Sequence, residues 1–235
     1  MEKYCVITGG SKGIGFAIAE RLATLGYHLA LVARTQEDLE NASASIRSQY
    51  PDVEVITQAL DVTSKESLSD FAETIAAKWS HVDVLINNAG TFTPGGVLTE
   101  EDGSLEHMFM TNCFSAYYLT RYLIALLEKS QTGHIFNMCS IASIDAYPNG
   151  GSYSISKFAM YGFSKNLREE LKPRGIRVTS ILPGATWTDS WSGSGIDPSR
   201  IMEANDIAEA VVSALKMSPN TVVEDIILRP QLGDL

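Results

Sequence analysis

Tyr153-Ser154-Ile155-Ser156-Lys157, with Ser140 thirteen residues upstream, has the residue types and spacing of a proton-transfer device. On a helix, residues four apart share a face, so the Lys157 ammonium is expected beside the Tyr153 phenol, where it favours the ionised form. An unperturbed phenol titrates near about 10, and a neighbouring cation moves it toward working pH, where proton transfer to or from a substrate oxygen is most efficient. Ser140 is then available to hold that same oxygen. Tyr-x-x-x-Lys alone also suits a solvated pair on any helix surface, so its meaning depends on the elements that position it.

The chain start supplies such elements. Residues 3–8 read as a short buried strand, Gly9-Gly10-Ser11-Lys12-Gly13-Ile14-Gly15 as a turn, and Phe16–Leu25 as a helical pattern. Gly9 and Gly15 carry no Cβ to block a tight turn or helix-on-strand packing, and Gly13 lets backbone amides at the helix N-terminus approach a pyrophosphate. Ser11, Lys12 and Ile14 share that turn, which suits a dinucleotide. The second strand, His28–Ala33, ends eighteen residues after Gly15, about where an NAD-binding chain places a carboxylate on the adenosine ribose. Ala33 stands there, Arg34 follows, and with Lys12 it offers two cations to a 2′-phosphate, so NADP(H) is expected over NAD(H). The same two residues also fit solvated positions at a helix start and a turn.

Nearly end to end, the chain resembles the short-chain dehydrogenase/reductase superfamily. The resemblance rests on Thr8-Gly9-x-x-x-Gly13-x-Gly15, Asp61, Asn87-Asn88-Ala89-Gly90, Asn112, Ser140, Tyr153-x-x-x-Lys157, and Pro183-Gly184 with Thr188, in that order and spacing. It implies a single Rossmann domain over residues 1–235: a doubly wound parallel seven-stranded sheet, order 3-2-1-4-5-6-7, with helices on both faces. It implies that Asp61 and the Val62 amide hold the adenine. Asn88 and Ala89 would lie along the adenosine ribose with Gly90 beside them, and Pro183, Gly184, Thr186 and Thr188 would line the nicotinamide carboxamide. Tyr153 would be the acid/base and Ser140 the anchor of the substrate oxygen. Lys157 would bridge the nicotinamide ribose, and Asn112 would bend its helix and hold a water in a relay to the lysine. The implied activity is hydride transfer between NADP(H) and a carbonyl or secondary alcohol.

Composition is consistent with that expectation. The 235 residues carry 18 Lys and Arg against 28 Asp and Glu, a net charge of −10, which disfavours nucleic acid as a partner and makes the Lys12–Arg34 pair a local exception. The first residues lack a signal-peptide pattern, and the apolar stretch Tyr117–Leu127 is too short to span a bilayer and contains Arg121, so a cytoplasmic protein without a membrane partner is expected. Cys5, Cys113 and Cys139 lack metal-type spacing and read as reduced buried thiols, with a redox role for Cys139 beside Ser140 left open. The four histidines form no cluster, and no metal is expected.

Strands are predicted near 3–8, 28–33, 53–59, 82–87, 133–139, 175–181 and 222–228, and helices near 14–26, 36–49, 65–79, 101–129, 152–171 and 203–217, the last starting properly at Asn205 or Asp206. Substrate choice falls to loops 91–103, 141–151 and about 185–202. The last holds Trp187, Trp191 and Ser192-Gly193-Ser194-Gly195, as a mobile lid or as an anchored loop. Apolar residues such as Phe114, Tyr117 and Phe158 exceed what one sheet face covers, and in similar proteins these helices pair about a two-fold axis; a homodimer or homotetramer is expected. The expected substrate is a small ketone, diketone or pteridine-like carbonyl. A 3-oxoacyl-acyl-carrier-protein reductase is the alternative, although Trp187 before Thr188, the C-terminal residues 228–235 and the acidic surface depart from that pattern. A non-catalytic NADPH sensor is the alternative from another class.

Overall fold

The structure is a computed structural model that describes residues 2–191 and 193–234; Ser192 of the glycine–serine stretch and Leu235 of the C-terminal segment lie outside the described residues. Seven strands form one parallel sheet: β1 (Lys3–Thr8), β2 (Tyr27–Ala33), β3 (Val55–Ala59), β4 (Val84–Asn87), β5 (His134–Met138), β6 (Arg177–Pro183) and β7 (Asp225–Leu228). Their order is β3-β2-β1-β4-β5-β6-β7, as the resemblance implied. Parallel strands buried on both faces read as apolar runs, and side chains alternate between the faces. Along β1, Cys5 and Ile7 enter one core while Tyr4 and Val6 enter the other.

The helices are α1 (Gly13–Ala23), α2 (Gln36–Gln49), α3 (Lys65–Lys78), α4 (Ser104–Phe109), α5 (Ser115–Leu127), α6 (Gly151–Leu171) and α7 (Ala204–Leu215). On one face, α1, α2 and α7 bury Ile18, Leu22, Leu39, Ile46, Ile207 and Val211. On the other, α3, α5 and α6 bury Leu68, Phe71, Leu119, Leu123, Leu167 and Leu171. The strand order reverses between β1 and β4, the place where an open α/β sheet leaves a crevice at its strand ends. No helix among the described residues is long and apolar enough to cross a membrane.

Several predicted bounds are corrected. The helix expected over 101–129 starts only after Gly103, whose φ of +92° breaks the chain direction, and is divided into α4 and α5 by a π-helical turn over Met110–Phe114. The last helix begins at Ala204, and the Asp206 carboxylate is inside its first turn, accepting the Glu203 amide at 3.1 Å. The sixth strand spans 177–183 rather than 175–181 because Gly175, at φ +72°, still turns the chain. Cys139 falls just beyond β5.

Candidate active site

The glycine turn after β1 is built around atoms with no room to spare. A Cβ on Gly15 would stand 2.1 Å from the Gly9 carbonyl oxygen, and one on Gly9 2.8 Å from Asn88 Nδ2, with Gly9 itself at φ +64°. No side chain caps α1, so its first amides face outward as acceptor-seeking donors, the arrangement that binds a pyrophosphate. The turn is braced from β4. Asn88 Nδ2 donates to the carbonyls of Thr8 (3.0 Å) and Gly9 (3.1 Å), and the amides of Asn88 and Ala89 each donate to Thr8 Oγ1 at 3.0 Å. Thr8, which sequence reasoning saw only as part of a motif, is thus a clip between β1 and β4.

Around that turn, Ser11 and Ile14 are half-buried and Lys12 and Arg34 are exposed. Lys12 Nζ lies 3.6 Å from Asp38 Oδ2 and 3.5 Å from Asp189 Oδ2, so it is shared by α2 and the 185–202 loop rather than solvated alone. Thr188 also reaches this turn, its Cγ2 being 3.2 Å from where a Gly13 Cβ would be. Asp61 is exposed and Val62 buried. The Thr63 amide, donating at 2.9 Å, holds the Asp61 carboxyl below the usual carboxylate range against some desolvation, with the Arg34 charge adding to the effect.

The second half of the site is a register between α6 and the segment after β5. Ser140 follows β5 in extended backbone, and its Oγ accepts the Ala142 amide at 3.1 Å while Ser143 Oγ accepts the Ser140 amide. Two side chains of α6 grip this segment on either side of Ser140. Ser154 Oγ donates to the Ala142 carbonyl at 3.0 Å, and Lys157 Nζ donates to the Met138 carbonyl at 2.8 Å. Tyr153, adjacent to Ser154, is half-buried, with Lys157 Nζ 5.8 Å from its ring centre. The ring of Phe92 meets that of Tyr153 edge-on at 4.9 Å.

Asn112 lies in the π-helical turn, a local widening that recurs at functional sites. Its Oδ1 accepts the Thr91 amide at 2.7 Å and its Nδ2 donates to the Thr91 carbonyl and to Ser156 Oγ, which in turn donates to the Tyr153 carbonyl. Asn112 therefore braces the loop after β4 against the first turns of α6. A Cβ at Gly90 would lie 3.3 Å from Asn112 Oδ1 and 3.6 Å from Lys157 Nζ, so the missing side chain leaves these two polar atoms facing one small space.

Pro183 ends β6, Gly184 donates its amide to the Leu228 carbonyl, and buried Thr186 turns its hydroxyl to the Gly184 carbonyl. Within the loop beyond them, the Trp187 amide donates to the Met202 carbonyl at 2.7 Å and that of Trp191 to the Thr188 carbonyl at 2.9 Å. Burial pushes the Cys139 thiol up to about 12, despite the nearby Lys157 charge, so this thiol is poorly suited to redox chemistry. Burial and then the neighbouring Tyr153 push the Tyr147 phenol up to about 12. Phe92, Val97, Leu98, Ile144 and Tyr147 are exposed on the loops flanking Tyr153.

A sequence profile described as short chain dehydrogenase matches residues 3–197. A sepiapterin reductase from Chlorobaculum tepidum is 35% identical over 100% of this chain and 99% of its own. A 3-oxoacyl-acyl-carrier-protein reductase from Haemophilus influenzae is 31% identical over 89% of this chain and 88% of its own. Among solved structures, an alcohol dehydrogenase from Thermococcus sibiricus, complexed with 5-hydroxy-NADP, is 30% identical and superposes with a TM-score of 0.91 over 100% of this chain and 99% of that one.

Proposed function

Because the chain belongs to the short-chain dehydrogenase family of oxidoreductases, we propose that it is an NADP(H)-dependent carbonyl reductase/alcohol dehydrogenase in which Tyr153, Ser140, Lys157 and Asn112 do the chemistry. The observation that supports this reading is the double grip of α6 on the Ser140 segment, through Ser154 on Ala142 and Lys157 on Met138, the residues that flank Ser140 and that neighbour Tyr153 on its helix. The dinucleotide fits the turn where Cβ atoms at Gly9 and Gly15 would collide and where the α1 amides lack side-chain partners. Lys12 and Arg34 supply positive charge for a 2′-phosphate, and the similar alcohol dehydrogenase was solved with an NADP derivative. Asp61 and Val62 would hold the adenine, Asn88, Ala89 and Gly90 the ribose side, and Pro183, Gly184, Thr186 and Thr188 the carboxamide.

Bound nicotinamide supplies a hydride to the substrate carbon. Everything else is done by the protein. Ser140 Oγ accepts from Ala142, which leaves its own hydrogen to donate to a carbonyl oxygen. Tyr153 donates a second hydrogen bond to that oxygen and gives up its proton as charge develops there, so the two hydroxyls stabilise the alkoxide where it forms. Lys157 spends one hydrogen on Met138 and keeps two for a ribose hydroxyl. The second lone pair of Asn112 Oδ1 faces the space over Gly90, where a water would link Lys157 toward solvent and restore the Tyr153 proton.

The exposed apolar side chains at the mouth suit a compact carbonyl with an apolar or aromatic body, such as a diketone or a pteridine. The exposed apolar side chains of Tyr117 on α5, Phe114 in the turn before it, and Ile155 and Phe158 on α6 suit association about a two-fold axis. The test is NADPH and, separately, NADH consumption against diketones, quinones, pteridines and 3-oxoacyl thioesters. Turnover with NADPH on small carbonyls is expected; thioester turnover alone would move the assignment to the acyl-carrier-protein class, and binding without turnover on any of them to a sensor. Tyr153→Phe should lower turnover about 10²–10⁴-fold with NADPH affinity within a few-fold. Unchanged turnover in that variant would sink the mechanism.

A further inference from the structure

We propose that Glu100 is a positioning residue: it fixes the first turn of α6, and with it Tyr153, from the loop that follows β4. The inference rests on Tyr153 being the acid/base group. α6 begins at Gly151 with no side-chain cap at Gly150 and no acidic residue in its first turn. A helix start nevertheless needs acceptors for its first amides and favours a negative charge beside them. Glu100, 52 residues away, meets both needs. Its Oε2 accepts the Ser152 amide at 3.3 Å and its Oε1 accepts the Ser152 hydroxyl.

The approach is close enough to demand glycine. A Cβ on Gly151 would stand 2.4 Å from the Gly95 carbonyl oxygen and 2.9 Å from Glu100 Oε2, and Gly151 sits at φ +35°. The Gly95 amide also donates to the Asn149 carbonyl at 3.1 Å, so loop 91–103 is seated on the turn that leads into α6. At its other end the same loop places Phe92 against the Tyr153 ring. One loop therefore touches the phenol ring and pins the residue immediately before it. Glu101 and Asp102, next in sequence, point to solvent, whereas Glu100 is half-buried. Releasing Ser152 frees the turn that aims Tyr153, and a misplacement of about 1 Å is enough to cost on the order of 10²-fold in rate.

The experiment uses the full chain with NADPH and a small carbonyl that it turns over. Glu100→Ala should lower kcat by roughly 10- to 100-fold with NADPH affinity unchanged and KM moved by less than about threefold. Glu100→Gln, which keeps one acceptor for Ser152, should restore most of that loss. Ser152→Ala, which keeps the amide hydrogen bond and loses the hydroxyl one, should lower kcat by less, and Glu100→Ala with Ser152→Ala should be little worse than Glu100→Ala alone, because the hydroxyl has already lost its acceptor there. A raised KM at unchanged kcat, or losses that multiply in the double variant, would overturn the proposal, since Glu100 would then only shape the substrate loop. Should Glu100→Ala fail to fold, Ser152→Ala carries the test, and wild-type kcat in it overturns the proposal equally. Turnover surviving Tyr153→Phe fails the reading beneath it instead, and is seen independently of any Glu100 variant.

Discussion

Lys12 and Arg34 are the single residues to which the proposed preference for NADP(H) is assigned. Lys12 is shared by the Asp38 and Asp189 carboxylates, but all three side chains are well exposed, so each ion pair contributes little and a phosphate dianion competes with both. Arg34 is exposed at the end of β2 and near enough to Asp61 to help hold its carboxyl down. Replacing either cation by Ser should weaken NADPH by about tenfold, the double replacement by more, and leave NADH affinity unchanged. Fluorescence titration of both nucleotides checks this, and the difference between them should shrink in high salt as the exposed charges are screened. Equal weakening of NADPH and NADH would remove the 2′-phosphate from the account of these residues.

Among the elements, α6 carries Tyr153 and Lys157 near one end and a buried arginine toward the other. Arg168 Nε donates to the Val178 carbonyl at 3.0 Å, Nη2 lies 3.0 Å from Asp225 Oδ1, and Nη1 lies 3.2 Å from Glu224 Oε2, so one side chain fastens α6 to β6 and to the edge strand β7. Desolvation would raise the Asp225 carboxyl, but hydrogen bonds from Tyr161, Arg168 and Ser180 outweigh it and hold the group below its usual range. Arg168→Met should therefore cost about 2–3 kcal/mol, less than a fully buried pair because both acids keep some water. Urea unfolding measures the loss, and hydrogen exchange should localise it to β7. The sequence shows why such a residue escapes notice: its acidic partners lie more than fifty residues away, as Ser152 does from Glu100, and neither distance leaves a periodic trace. The strands were legible because parallel strands buried on both faces make continuous apolar runs, and Tyr153 with Lys157 because four residues bring them to one helix face. Element ends were not, being set by Gly103 and Gly175 at positive φ and by the π-helical turn that Asn112 stabilises through Thr91.

At the scale of the molecule, two features act beyond the cleft. Phe158 on α6 and Tyr117 on α5 stand exposed, and on the proposed two-fold association Phe158→Glu should shift sedimentation velocity profiles toward monomers, with a wild-type profile counting against an interface there. The second feature is His134 in the central sheet. Its ring is fully buried and stacks on Phe136 at 4.0 Å. Thr179 Oγ1 gives its own hydrogen to the Val223 carbonyl, so His134 Nε2, 2.7 Å from that oxygen, must be the donor, and Nδ1 is left bare and without a partner. Burial, with the Arg177 charge, therefore holds this imidazole well below its ordinary range in the fold. In the unfolded chain it takes a proton as pH drops through about 6.5, so the unfolded state binds more protons there and stability falls on acidification. The loss from this residue alone should reach about 1.4 kcal/mol per pH unit below that point, and vanish above it. Urea midpoints between pH 8 and pH 5 should accordingly fall more steeply for the wild type than for His134→Gln, by the equivalent of one proton. Parallel curves would mean that the folded protein admits a proton at Nδ1, and that the bare nitrogen finds an acceptor or water in solution.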